Sequence, residues 1–224
     1  MRLPLLLKNS CPLTLLLLTS LLWPLSATQA DSIPIAVAPV MVRLEPTNDI
    51  AGVEVSNRGD TASGIEVEVM RVNWVNGREQ YEPTAEFVVS PPSFRLQARK
   101  SRMVRFKYNG QRQDIEGFYR LFIRQLPQET TDNQINMVFN IGVPVFIGPL
   151  QARPALQLVA SAAELRNTGN VTLTVLNLEG NSCPGALKVL ARVAPAQKLA
   201  LSAEQTRCAT GAQTDRSVIV LTTP

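Results

Sequence analysis

Among the side chains that most often do chemistry, this chain offers carboxylates, arginines and three cysteines, and none of its 224 residues is histidine. Without histidine, Ser-His-Asp and Cys-His arrangements are impossible, and the commonest general base is missing. Two carboxylates could still hydrolyse a glycoside. The acidic residues, however, fall in strand-like alternation (Glu66, Glu68) or in loops (Asp49, Asp60, Glu79, Glu82), as solvated faces do, and no pair stands out. Gly52, Gly59 and Gly64 are spaced like turns and not like a loop that cradles phosphate. The chain reads as non-enzymatic, with no cofactor and no small-molecule substrate expected.

The N-terminus sets the compartment. Arg2 and Lys8 precede an apolar core, Leu13 to Leu22, too short to span a bilayer, and Ser26-Ala-Thr-Gln-Ala30 supplies small residues for cleavage. Residues 1–30 are therefore expected to be a signal peptide, cut after Ala30. Cys11 lies upstream of the apolar core, where it cannot carry a lipid after such a cut. Of the 22 basic residues the leader holds two, and it holds none of the 18 acidic ones, so export lowers the net charge from +4 to +2. That balance, with basic residues dispersed, gives no case for nucleic acid. Two cysteines survive, Cys183 and Cys208, and an even pair in an oxidising compartment reads as one disulfide. Two cysteines and no histidine leave no usual zinc ligand set.

The elements that could position a site are strands. In Gln134–Pro149, Ile135, Met137, Phe139, Ile141 and Val143 alternate with Asn136, Val138, Asn140 and Gly142, a period of two with one apolar face. An isolated run of this kind is ordinarily a core strand. Here a polar loop, Gln128 to Asn133, precedes it, and Pro144 removes a donor within it, which favours an edge. A long apolar edge is an aggregation hazard unless something sits on it. The run is therefore read as a strand that serves another chain.

Around it, the first unit holds about seven short strands with turns between them and hardly any helical periodicity, as in an Ig-like sandwich. Ile33 to Leu44 reads as one proline-interrupted edge strand, and Trp74 as a core anchor. Past Pro149 the pattern restarts after a short polar linker, with strands over Leu156–Val159, Glu164–Arg166, Val171–Leu178, Leu187–Val193 and Ser217–Leu221. The expected division is residues 31–149 and 150–224. The second unit is short for its type, so a Cys183–Cys208 bridge would offset a thin core, by about 2–4 kcal/mol.

Asn57-Arg-Gly-Asp60, Trp74, Val89-Ser-Pro-Pro92 with Phe94, Met103-Val-Arg105, Glu116-Gly-Phe-Tyr-Arg-Leu121, Gln125-Leu-Pro127, Val143-Pro-Val-Phe146 and Asn167-Thr-Gly-Asn170 follow in order. The set resembles the PapD-like periplasmic chaperones of the chaperone–usher pathway. That resemblance implies an all-β chain of two Ig-like sandwiches set in an L, located in the periplasm. It implies pilin subunits as partners, an outer-membrane usher as recipient, and leaves open a self-capping dimer of the free protein. The last strand of the first domain would donate Ile135, Met137, Phe139 and Ile141 to an incomplete pilin, a form of β-augmentation. A secreted Ig-like adhesion or pilus component is the other reading; residues 31–44 are short and proline-broken for the free donor extension such a subunit would need.

In the family's best-known members an arginine on the first strand and a lysine on the last hold the subunit's terminal carboxylate. The corresponding residues here are Met41 and Pro144, and neither carries charge. The pattern looks like the archaic, Csu-like branch, in which another arginine would serve. Arg120 is the first candidate, with Arg105 and Arg43 behind it.

Overall fold

The computed structural model describes residues 34–75, 78–127, 138–180 and 187–223. The expected leader, residues 76–77 and the polar loop expected over 128–133 lie outside them. β-Branched and aromatic residues at every second position carry the first half into ten strands. These are β1 (Ile35–Ala38), β2 (Val42–Leu44), β3 (Ile50–Asn57), β4 (Ser63–Val75), β5 (Arg78–Pro83), β6 (Phe87–Ser90), β7 (Ser93–Leu96), β8 (Ser101–Tyr108), β9 (Gly117–Gln125) and β10 (Asn140–Ile147). One sheet runs β1-β3-β8-β6 and the other β2-β10-β9-β4-β5, with β7 also on β4. The interrupted first strand thus belongs to both: β1 pairs with β3, and after the break at Pro39 β2 runs parallel to β10.

Between the sheets lie Val53 and Val55, Ile65 and Val67, Val104 and Phe106, Leu121 and Ile123, Val143 and Val145, all buried. Removing each such side chain from water contributes roughly 1.5–3 kcal/mol before entropy is counted. Trp74 is not among them. It is 47% exposed, because β4 outlasts the sandwich core and Trp74 shares the outward parity of Glu66, Glu68 and Met70. A second unforeseen element is Arg112. Its Nη1 donates to Leu44 O (3.0 Å) and Gly148 O (2.7 Å), and its Nη2 to Glu45 O (2.8 Å) and Asp49 Oδ1 (2.7 Å), pinning β2 to the end of β10.

The second half forms β11 (Leu156–Val159), a 3₁₀ turn (Ala160–Ala162), β12 (Glu164–Asn167), β13 (Leu173–Glu179), β14 (Leu187–Val193), β15 (Lys198–Ala200), α1 (Ala203–Cys208), β16 (Gly211–Thr214) and β17 (Val218–Val220). Its sheets, β11-β12-β15 and β14-β13-β16-β17, close over a separate core that includes Leu156, Leu165, Leu173, Val175 and Leu178. β15, α1 and β16 go beyond the sequence reading. α1 is too short for a helical period to show, and is set by a capping box in which Ser202 Oγ accepts from Gln205 N while Gln205 Oε1 accepts from Ser202 N. The two halves share one device: Asn57 and Asn167 are buried, each accepting from the glycine two residues on and donating to carbonyls across the sandwich.

The halves meet at Glu116, whose side chain is fully buried. Its Oε1 accepts from Arg43 Nη1 (3.0 Å) and Arg216 Nη2 (3.1 Å), and its Oε2 from the backbone N of Thr172 (2.8 Å). Arg43 Nη2 continues to Asp215 Oδ2 at 3.0 Å. Asn170 Nδ2 donates to the carbonyls of Asp114 and Gln151, so backbone from both halves is tied at the same place.

Candidate functional site

β10 is an edge for half its length. Val145, Phe146 and Ile147 pair with Val42, Arg43 and Leu44 of β2, whereas Asn140–Pro144 has β9 on one side and no described strand on the other. Among the described residues, the backbone donors and acceptors on that side have no strand partner, with the gap at Pro144 that the sequence implied. The pairing with β9 reaches one residue further, where Phe139 O accepts from Gln125 N at 2.8 Å.

The side chains of β10 divide by parity. Val143, Val145 and Ile147 fill the core of their own sandwich, and Ile141 is half-buried against it. Phe139 is half-buried, and Val138, on the other parity, is 49% exposed. The apolar row thus begins as core and runs toward the residues before Asn140. Of the four donor candidates, Phe139 and Ile141 are described; Ile135 and Met137 lie outside the described residues.

The outward face of the β9 sheet carries Phe118, Arg120, Phe122 and Arg124. Arg120 is opposite Pro144, and Phe122 opposite Gly142. Gly142 makes room for both, since a Cβ there would fall 3.0 Å from Arg120 Cδ and 3.3 Å from Phe122 Cε1. Arg120 reaches across β4 to β5, where its Nη2 donates to both carboxylate oxygens of Glu79. Tyr81 O–H donates to Glu79 Oε2 at 2.6 Å, and that bond, with partial burial, pushes the phenol's pKa above its ordinary value. Glu79 is therefore no solvated loop residue; its side chain is 24% exposed and committed. Arg120 Nε is buried and without a partner.

Arg120 lines a cleft of about 150 Å³ between the halves, walled by Val72, Trp74, Pro144 and Phe146, with Thr172 and Arg192 from the second sandwich. The other two arginine candidates sit differently. Arg43 is engaged by Glu116 and Asp215, with its guanidinium 4.8 Å from the Phe146 ring centre. Arg105 is exposed on β8, between Gly52 and Ser90, in the sheet that contains neither β9 nor β10. Arg192 has no sequence signal beyond being a polar residue in an alternating strand.

Behind Arg120, Tyr119 faces inward and donates to Glu86 Oε2 at 2.8 Å. Burial and that bond push the phenol's pKa far up. Burial alone would raise the Glu86 carboxyl; hydrogen bonds from Tyr119 and Thr84 and the Arg71 charge bring it below the usual range. This cluster ties the connection between β5 and β6 to β4 and β9, and its groups are all engaged with one another. Cys208 is buried at the end of α1, and Cys183 lies outside the described residues. Gly180 packs so closely on Cys208 that a Cβ there would stand 1.8 Å from Cys208 O.

The comparisons agree with this geometry. Residues 34–153 match the profile of the pili and flagellar-assembly chaperone family, PapD N-terminal domain. The class 5 fimbriae chaperone CfaA superposes with a TM-score of 0.63 at 15% identity, covering 85% of this chain and 99% of that one. A chain of the Salmonella enterica SafA pilin–SafB chaperone complex gives 0.57 at 18% identity, covering 84% and 96%. The CsuC–CsuE complex of archaic Csu pili from Acinetobacter baumannii gives 0.50 at 15%, covering 75% and 89%. At such identities the likeness shows the fold. A search of curated protein sequences finds no match. The profile covers more than half of the sequence, and the chain belongs to the PapD-like family of pilus-assembly chaperones, which are not enzymes.

Proposed function

We propose that this chain is a periplasmic chaperone that captures pilin subunits by donor-strand complementation and passes them to an outer-membrane usher. The observation that carries the reading is the edge of β10 over Asn140–Pro144, which no described strand covers, continuous with an apolar row that leaves its own core at Ile141. A subunit lacking a strand has the complementary defect, unpaired backbone beside apolar pockets, and β10 extended through Ile135, Met137, Phe139 and Ile141 supplies both partners. The named neighbours include complexes with a pilin and with a tip adhesin, which agrees with a subunit as the partner here.

Arg120 is the residue we assign to the subunit's terminal carboxylate. It is next to the uncovered edge and in the cleft, and it keeps donors that Glu79 does not use. A guanidinium can meet a carboxylate with two parallel N–H bonds, and fixing one end of the guest fixes the register. Co-expression with exported pilins, followed by co-purification, tests this. Arg120→Ala should weaken capture by about 2–5 kcal/mol, with Arg120→Lys recovering part. Full capture by Arg120→Ala, with loss in Arg43→Ala or Arg105→Ala, would move the anchor.

The leader over residues 1–30 and a Cys183–Cys208 bridge complete the proposal. In support of the bridge, Gly180 packs on Cys208, and Cys183 follows three residues later in the sequence.

A further inference from the structure

The charges in the cleft do not balance. Arg120 is paired with Glu79, but Arg192 enters the same cleft from β14 with only soft neighbours. Its Nη2 lies 3.5 Å from Met41 Sδ, and its guanidinium 5.4 Å from the Phe146 ring centre. A thioether is a weak acceptor and a ring face a diffuse one, so these contacts place the cation without satisfying its donors. The other two arginines at this joint, Arg43 and Arg216, are taken by Glu116, Asp215 and Glu45. Two guanidiniums against one carboxylate leave a single positive charge at the mouth of a cleft whose walls are otherwise mostly apolar.

A second observation points to the same place. Thr172 is fully buried, lines this cleft and has no partner for its Oγ1, and Arg120 Nε is likewise buried and unpartnered. Two unpartnered polar atoms and one surplus charge describe a site that lacks one anionic group with oxygen acceptors.

We propose that Arg192 is a second anchoring residue for the terminal carboxylate of the bound subunit, so that the carboxylate is held between Arg120 of the first sandwich and Arg192 of the second. This rests on the reading that a chain terminus enters the cleft, and adds that the second sandwich takes part in holding it. One carboxylate brings the cleft to neutrality. Because its two cations stand on different sandwiches, binding also ties the halves together. Met41 acquires a role in place of charge: its sulfur supports Arg192.

Trp74 lines the cleft and is the only tryptophan outside the expected leader, which contains Trp23. Its fluorescence reports occupancy. The probe is an N-acetylated heptapeptide of alternating valine and threonine, ending either in a free carboxylate or in an amide. The exported protein should respond saturably to the acid and at least about tenfold more weakly to the amide, a factor that corresponds to 1.4 kcal/mol. Arg192→Gln should raise the acid's Kd about tenfold and leave the amide unchanged, and Arg192→Lys should recover part of the loss. Arg192 is exposed, and an unchanged melting temperature would show the variant folded. An unchanged Kd in Arg192→Gln, alongside loss in Arg120→Gln, would overturn the role of Arg192 and leave the anchor reading standing. No saturable response, or equal response to acid and amide in the wild type, would overturn both.

Discussion

Replacing Glu116 with alanine should loosen the joint between the two sandwiches more than either core. The carboxylate has no exposed side-chain surface and serves three donors: Arg43 at 3.0 Å, Arg216 at 3.1 Å and Thr172 N at 2.8 Å. Charge-assisted bonds contribute about 1.5–3 kcal/mol each when considered alone, but they are not additive. Both arginines are mostly buried, with 16% and 18% side-chain exposure, and each keeps a second carboxylate, Asp215 or Glu45. That retained pairing lowers the penalty from the upper part of the range for breaking a buried pair to about 3 kcal/mol. Glu116→Gln keeps an acceptor for one arginine and should cost about 1–2 kcal/mol. Calorimetry of the alanine variant should resolve two transitions where the wild type shows one, with Trp74 fluorescence following the first sandwich. A single transition displaced by less than about 0.5 kcal/mol, the scale of an ordinary surface substitution, would refute the claim that Glu116 couples the halves.

Other outcomes follow from the same geometry. Gly142→Val should displace Arg120 and Phe122, reducing subunit capture strongly while costing about 1–3 kcal/mol in stability, read by co-purification and urea melts. The Glu86 carboxyl has a lowered folded pKa, so its stabilisation is present above the unfolded value near 4.5 and is lost as pH falls through the folded one; the stability gap between wild type and Glu86→Gln should therefore close below about pH 4.5. Thiol labelling of denatured, unreduced exported protein should find no free cysteine, whereas two labelled residues would dismiss the Cys183–Cys208 bridge.

Strand after strand was readable because a half-buried strand must alternate, and Ile65, Val67 and Val69 against Glu66, Glu68 and Met70 do so. Trp74 was misread because a large aromatic was taken for a core anchor, although its parity with Glu66, Glu68 and Met70 already placed it on the outward face. β15 and β16 also went unread. α1 was not read at all; the spacing of Ser202 and Gln205, which forms its capping box, was the one signal that could have marked it. Phe139 and Ile141 carried a local signal. Glu79 and Arg192 did not, because what distinguishes them is created by strand order: β5 is brought two strands from β9, and β14 against the cleft. No local pattern encodes either adjacency.

The central claim, that the apolar row before Asn140 belongs to a partner, is tested most directly by replacing Met137 and Phe139 together with asparagine and asking what co-purifies with the exported protein. Each apolar side chain placed in a subunit pocket contributes roughly 1.5–3 kcal/mol, so losing two should reduce capture at least about a hundredfold. The free protein should melt as before, because the core side chains of β10 are Val143, Val145 and Ile147. Undiminished capture would contradict the donor assignment, and unfolding of the variant would place Met137 and Phe139 in this protein's own core.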